Sequence, residues 1–556
     1  MTPALPPTRP PAPALAQSPA QPPAATPAPA PSDANSATPD STTPARTPPS
    51  HKTLKARAVK GSVIWAIAYT IQQIIRLGSN VWLGHLLLPW AFGMVAIARA
   101  IQQGLSMFSE IGIRPAMIQS KRDDDAFVNT AWTLGAIRGI GIWGAAAMLA
   151  YPMAIFYGKD ALVQMVPVLA LTAVLSGLES TRVVSLNREL REGPRAVMEV
   201  AASILTRGTM ILWAYASPTP WALVAGTIVG GVFTLFISHL ALPGRRNRFC
   251  LERDAIRAIL KFGSWIFIGT VIAFLGQQLD KFMLGKLDGL GMLGVYAMAL
   301  TLASLPREVL NIISTKILYP VLAEVRREDP ERYATRVTQI RAVIVPAGIA
   351  CILGVTFASP WYFTMLFPPE FHDAAWISPL ACFSVWFAIL NSSANKALLA
   401  MGNTRPLALA GAIKVAMTGL GCAVGYAQWG TAGFVLGVGL GAASEHAMNL
   451  VTLHRAGIRL IIPDLIATAT LAALALAGWF APDAARALLP GVPTPALVLG
   501  LLLQAVIVAG ASWLAFKKVR PLLKIKKKSA ASPATPATSD DPTEPATTRA
   551  TGANPS

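Results

Sequence analysis

Gln72, Arg76 and Asn80 recur at i, i+4 and i+8 within YTIQQIIRLGSN (69–80), so on a helix they form one polar stripe, continued by Tyr69 and Trp65. A guanidinium presents a rigid fork of donors that matches phosphate oxygens, and amides both donate and accept, which suits sugar hydroxyls. The flanking residues are apolar enough for hydrocarbon, where an arginine at mid-depth costs ~2.5–3.5 kcal/mol. The stripe must therefore face other helices or water. Three further apolar segments repeat the pattern: Arg99, Gln103, Ser106 and Glu110; then Gln277, Gln278, Asp280 and Lys281; then Ser304, Arg307, Glu308, Asn311 and Thr315. Together they outline the walls of a polar cavity.

The deep charge inventory is more basic than acidic. Arg76, Arg99, Arg138, Arg207, Lys281, Arg307 and Lys414 stand against Glu110, Glu179, Asp280, Glu308 and Glu445. A cavity biased this way favours an anion, and phosphate or pyrophosphate oxygens suit arginine best. Arg138, Arg207, Lys414 and Glu445 fall on helices expected outside the main cavity wall. Gln73, Gln102 and Ser304 read as hydrogen-bond partners between helices, and Glu179 with Arg182 as a structural or snorkelling pair near a cytoplasmic end. No GxxxxGK[ST], HExxH or GxSxG sequence occurs, so ATP hydrolysis and the commoner hydrolytic chemistries have no motif here. The four cysteines are scattered without CxxC spacing, and neither a disulfide framework, a metal site nor a cofactor is expected.

The elements that must position these residues follow from composition. Over 556 residues, 53 % are hydrophobic, 13 % are charged and the mean hydropathy is +0.49, which places the chain among polytopic membrane proteins. A bilayer core ~30 Å thick needs about 20 apolar residues per helix. On that criterion the chain is all-α with fourteen transmembrane helices. Residues 1–50 hold 16 of the 44 prolines and read as a disordered Pro/Ala-rich tail, as do those that follow the basic stretch opening at residue 517.

Basic residues alternate strictly between loops: 31 fall on one set and only Lys159, Lys286 and Arg486 on the other. An even span count with both termini cytoplasmic produces this pattern. The same placement explains the net charge of +19 through anionic lipid headgroups, so membrane lipids and not nucleic acid are the expected polyanionic partner. The loops of the opposite set are short, the longest being roughly 481–493, and leave no room there for an attached catalytic domain.

Shifting the chain by 201 residues superposes Lys60 on Lys261, Leu83-Gly84 on Leu284-Gly285, Leu86 on Leu287, Gly93 on Gly294 and Ala96 on Ala297 without a gap. Six spans separate the copies, so both run in the same sense and an axis along the membrane normal would relate them. The expected organisation is two pseudo-symmetric six-helix lobes, 51–257 and 258–460, followed by two further helices over 461–516 and a basic, then disordered tail over 517–556. Gly433, Gly437 and Gly441 form a small-residue face suited to close helix packing.

The segments LLLPWAFGMVAIARAI (86–101), SEIGIRPAMIQ (109–119), FGSWIFIGTVIAFLGQQLDKFMLGKL (262–287) and LGVYAMALTLASLP (293–306), with ILYPVLAEVRRE (317–328), resemble the polysaccharide exporter and oligosaccharide flippase branch of the multidrug/oligosaccharidyl-lipid/polysaccharide superfamily. The resemblance runs from about residue 55 to 460. It implies a two-lobed bundle working by alternating access, with a cavity lined by the first, second, seventh and eighth helices. It also implies a cargo of undecaprenyl-pyrophosphate-linked oligosaccharide, moved across the bacterial inner membrane for exopolysaccharide, capsule or lipopolysaccharide O-antigen assembly. A polysaccharide polymerase and chain-length or export machinery are the candidate partners. On this reading the protein is a transporter and not an enzyme. Arg76, Arg99, Lys281 and Arg307 would hold the pyrophosphate, Gln72, Asn80, Gln277, Gln278 and Asn311 would bond sugar hydroxyls, and Asp280, Glu110 and Glu308 are the titratable groups available for ion coupling.

Two alternatives remain. A cation-coupled multidrug antiporter of the same fold would need acidic cavity residues, and the first span has no carboxylate. A membrane-embedded polysaccharide polymerase would need a larger external loop.

Overall fold

The computed structural model describes residues 51–109, 124–183, 192–242, 247–257, 267–402, 404–488 and 499–513, with Met117 and Lys517 as isolated positions. Glu110, the two Pro/Ala-rich tails and the loops bearing Arg114, Lys121 and Arg122 lie outside the described residues. The chain divides into two units, Met1–Leu54 and Lys55–Ser556. Only the start of the first helix represents the former among the described residues; the helical bundle belongs to the latter.

Every regular element among the described residues is helical. In chain order they are α1 (His51–Leu86), α2 (Pro89–Phe108), α3 (Asp125–Tyr157), α4 (Ala161–Leu178), α5 (Glu192–Ala216), α6 (Trp221–Leu240), α7 (Phe267–Leu287), α8 (Gly289–Ala303), α9 (Leu305–Ile313), α10 (Tyr319–Glu328), α11 (Tyr333–Leu366), α12 (Ala374–Ala400), α13 (Thr404–Arg455) and α14 (Ile461–Leu488). A short apolar helix, α15 (Leu499–Trp513), comes last. The molecule is a polytopic, all-helical membrane protein.

Among the described residues, eight of these helices are both long and apolar enough to cross a bilayer, or nine if the bent pair α8–α9 counts as one span, where the sequence predicts fourteen. The shortfall has physical sources. Helices α1, α2 and α7 carry the Gln, Arg and Lys residues described above, and those residues lower the hydropathy of helices that are otherwise apolar. Helix α13 is one element only in name: Trp429 (φ −133°) and Gly430 (φ 58°, ψ −143°) break it into two arms. The arms fold back on each other. A Cβ on Gly433 would lie 2.0 Å from the Gly425 carbonyl oxygen, and one on Gly437 2.3 Å from the Gly421 carbonyl carbon. The small-residue face is thus the contact that lets the hairpin close.

Helices α3, α4 and α6 pack on α2, with α3 against α4, α4 against α6 and α5 against α6, while α11, α12 and α13 pack on α7 and α8. The two groups meet mainly along α2 with α8 and α2 with α7. At the closest approach the equivalent glycines of the repeat face each other. A Cβ on Gly93 would sit 1.9 Å from the Leu290 carbonyl oxygen, and one on Gly294 1.8 Å from that of Pro89. No side chain fits, so backbone lies on backbone. Nearby, Tyr157 donates to the Phe282 carbonyl and Tyr362 to the Leu77 carbonyl, both at 3.1 Å, and the rings of Phe92 and Phe371 meet edge to face.

The break between α8 and α9 bends the chain by 44° at Ser304. Pro306 lies in the first turn of α9, where its missing N–H removes a donor from the helical ladder. A π-helical turn, Ser314–Leu318, then joins α9 to α10. The irregular stretch sets Glu308 against α1.

A second polar feature sits in the other half of the bundle. Arg341 of α11 grips Asp464 of α14 with Nη2 2.7 Å and 2.6 Å from the two carboxylate oxygens, and also donates to the Leu390 carbonyl and the Ser393 hydroxyl of α12. His446 of α13 places Nε2 3.0 Å from the same carboxylate. Trp386 Nε1 donates to Thr468 Oγ1 one turn further along α14. All four helices are pinned at one buried point. By sequence Arg341 is one of the 31 loop cations that orient the chain; burial with Asp464 makes it a packing residue.

Candidate functional site

Between the two groups of helices lies a cavity of about 390 Å³. Arg76 and Asn80 reach it from α1, Arg99 and Gln103 from α2, Arg207 from α5, and Gln278 and Lys281 from α7. Four cations thus converge on one chamber, and among the described residues no Asp or Glu lines it. Apolar residues such as Phe92, Met210, Leu223 and Met298 fill the remaining wall.

Each cation has a different environment. Arg76 Nη2 lies 3.4 Å from Glu308 Oε2, while its Nε is buried without a partner. Arg99 has an exposed side chain although α2 runs through the middle of the bundle, because it opens into the chamber. Its Nη2 donates to Thr227 Oγ1 at 3.1 Å, and that hydroxyl donates in turn to the Leu223 carbonyl at 2.7 Å. Arg207 has only a weak contact, Nη1 to the Met210 sulfur at 3.9 Å. Lys281 donates to Gln278 Oε1 at 2.6 Å. Among the described residues no carboxylate pairs with Arg99, Arg207 or Lys281. Unpaired cations gathered in a low-dielectric wall raise the local potential and draw anions to it.

Glu308 is the carboxylate that approaches this group of cations, and it is fully engaged. Its Oε2 accepts from Tyr69 Oη at 2.7 Å and Gln73 Nε2 at 2.8 Å besides facing Arg76, and its Oε1 accepts from Ser304 Oγ at 3.1 Å. Three residues of α1, spaced by one helical turn each, therefore hold one residue of α9. Trp65 stacks on Tyr69 with ring centroids 5.4 Å apart and steadies its hydroxyl.

The chamber gathers some of the residues singled out from sequence and leaves others aside. Arg76, Arg99, Asn80, Gln278 and Lys281 line it. Gln72 is half-buried outside the lining, and Gln277, Arg307 and Asn311 are exposed side chains outside it as well. Asp280 turns into the C-terminal half, where it accepts from the fully buried Tyr296 hydroxyl at 2.8 Å. Glu110 lies outside the described residues. Arg207 corrects an expectation: its helix, read from sequence as outside the cavity wall, supplies part of it. The signal for it in the sequence is an arginine near the middle of an apolar span.

The other deep charges have local partners. Lys414 Nζ lies 3.0 Å from Glu445 Oε2 across the α13 hairpin, Arg138 donates to the Ser106 carbonyl at 2.6 Å, and Arg182 donates to the Leu242 carbonyl at 2.9 Å. Among the described residues no group of His, Cys, Asp and Glu side chains could hold a metal ion.

The chain is similar to known proteins in sequence and in fold. Residues 83–375 match the model of a family described as polysaccharide biosynthesis protein. The chain is 21 % identical over 331 residues to the lipopolysaccharide biosynthesis protein WzxC of Escherichia coli, an alignment covering 59 % of this chain and 67 % of that protein. It is 20 % identical over 310 residues to the teichuronic acid biosynthesis protein TuaB of Bacillus subtilis, covering 53 % of this chain and 61 % of the relative. Among solved structures, the lipid II flippase MurJ in an inward closed conformation aligns with a TM-score of 0.61 and 12 % identity, covering 82 % of this chain and 99 % of that one. An inward-facing multidrug resistance MATE transporter aligns with a TM-score of 0.54 and 15 % identity, covering 71 % and 98 %. The structural likenesses speak for the fold alone. The family match spans more than half the chain and takes in α2, the repeat glycines and the α8–α9 break, and on that ground the chain belongs to the polysaccharide biosynthesis protein family.

Proposed function

We propose that the protein is a flippase that moves an undecaprenyl-pyrophosphate-linked oligosaccharide repeat unit across the bacterial inner membrane by alternating access, for exopolysaccharide, capsule or O-antigen assembly. The observation that carries this reading is the chamber itself: four cations and three amides on an exporter fold, with no carboxylate in the lining among the described residues. A pyrophosphate bridge satisfies guanidinium forks, and Asn80, Gln103 and Gln278 supply donors and acceptors to sugar hydroxyls. Arg307, Gln72, Gln277 and Asn311 serve the cargo outside the closed chamber, along its route in. The names of the family's relatives support the substrate class.

In this reading the chain crosses the bilayer fourteen times with both termini cytoplasmic, in two six-helix lobes. The Gly93–Gly294 contact then closes the periplasmic end. Glu308 is the group best placed to couple transport to an ion, because it ties α1 to α9 and that tie must loosen when the lobes rock. Asp280 and Glu110 are the remaining coupling candidates. A drug antiporter of the same fold is disfavoured by the scarcity of acid around the chamber, since cationic drugs require it.

The test is direct. In proteoliposomes containing the purified chain, a fluorescent lipid-linked oligosaccharide should cross to the far leaflet faster than in empty vesicles, and removing the gene should deplete surface polysaccharide. Flipping no faster than in empty vesicles, with drug resistance lost on deletion, rejects the proposal in favour of the antiporter.

A further inference from the structure

The cations of the chamber are not equivalent, and the difference locates the anion. Arg76 is tied to Glu308, and Lys281 to the Gln278 carbonyl. Among the described residues Arg99 and Arg207 have no carboxylate, and Arg207 has no oxygen partner either. Both belong to the helices of the first repeat, on α2 and α5, and both project into the same space. Arg207 shares the chamber with the like charges of Arg99 and Arg76. Two guanidiniums that repel each other in a partly apolar wall are a costly arrangement, and a shared counter-anion removes the cost. Thr227 sharpens the geometry. Because its own hydrogen goes to the Leu223 carbonyl, its oxygen is free to accept from Arg99 and fixes the direction of that fork.

We infer that Arg99 and Arg207, with Thr227 as positioning residue, form a subsite on the N-terminal half of the bundle that takes the diphosphate of the cargo. This deepens the flippase reading and rests on it for the identity of the cargo, although the anion-binding claim stands on the side chains alone. One phosphoryl group faces each fork, which a monoanion cannot do. Arg76 serves as a reserve cation, held back by Glu308, and the amides of Asn80 and Gln278 flank the sugar side. The charge of the cargo thus stays with one half of the transporter while the other half moves.

The experiment uses the full-length chain in detergent, titrated with inorganic pyrophosphate and, separately, inorganic phosphate. Pyrophosphate should bind more tightly than phosphate. Arg207→Gln should weaken pyrophosphate binding roughly 10- to 100-fold, the loss of one charge-assisted hydrogen-bonded contact. Arg207→Lys should recover part of the loss, and Arg336→Gln, at an exposed arginine outside the chamber lining, should change nothing. Thr227→Val, which leaves every charge in place, should weaken binding several-fold and erase much of the preference for pyrophosphate; it decides the matter if Arg207→Gln fails to fold. Binding by well-folded Arg207→Gln within twofold of the unaltered chain, or an equal loss from Arg336→Gln, overturns the subsite. Surface polymer separates the two levels. If deletion of the gene leaves polymer intact while pyrophosphate binding still depends on Arg207, the flippase reading falls and the subsite stands. If deletion abolishes polymer but Arg207→Gln both restores it and binds normally, the subsite falls and the flippase stands.

Discussion

Arg76 and Glu308 lie 232 positions apart in sequence and meet at 3.4 Å, with Tyr69 and Gln73 closing on the same carboxylate oxygen. The pair joins the first helix of one half to the broken helix of the other. Any cycle that separates those halves on this side must dissolve it. Glu308→Gln keeps an acceptor for Tyr69 and Gln73 but removes the charge, so transport in proteoliposomes should fall at least tenfold while insertion is normal. The pair itself, about one-quarter to one-third exposed, should show a coupling of only ~1 kcal/mol or less in a double-mutant cycle on thermal stability. Unchanged transport by Glu308→Gln would show that the tie is a bystander.

Arg341 and Asp464 predict the opposite balance, with a large effect on stability and a small direct one on cargo binding. Both side chains are about 95 % buried, and removing the carboxylate leaves the guanidinium without its charge partner. Asp464→Ala should cost about 3–5 kcal/mol. The measurement is the detergent melting temperature together with proteolysis of the last helices, since α14 loses its polar anchor. Pyrophosphate affinity of the surviving folded fraction should not change.

Gly93 and Gly294 admit no side chain. Gly93→Ala or Gly294→Ala must push α2 away from α8, because the opposing atoms are carbonyl oxygens and cannot rotate aside. Transport should drop sharply at normal expression. In a background with its cysteines replaced, Ala96→Cys in the chamber should become labelled by an impermeant thiol reagent added at the α1–α2 end, where the unaltered contact protects it.

The α13 hairpin offers a milder test. Gly437→Leu inserts a bulky side chain against the Gly421 backbone, and overpacking of this kind costs about 1–3 kcal/mol. Thermal unfolding should report the loss, and Gly430→Val should add to it, because φ of 58° strains a β-branched residue.

Much of this architecture is written in residue types that hydrocarbon penalises. Arg76, Arg99 and Lys281 are legible as cavity residues because a cation at that depth in an apolar helix cannot face lipid, and Gly93 and Gly294, which the 201-residue shift superposes, sit at a contact that tolerates nothing else. What sequence does not reveal depends on distances across the bundle. The stripe on α1 splits: Asn80 reaches the chamber, while Gln73, by its type only a helix partner, grips Glu308 and Gln72 stays out of the lining. Arg207 looks peripheral in sequence because nothing in a linear string shows that α5 leans against the chamber. Arg341 looks like one more loop arginine, and only the fold brings Asp464, 123 positions away, to face it.

At Gly93 and Gly294 the seam between α2 and α8 is backbone on backbone. Closing that point orders no side chain of either glycine, and parting it uncovers no ion there. In the flippase reading a gate at this point would open without uncovering an ion, and the passenger and the α1–α9 clasp would bias which way the transporter faces.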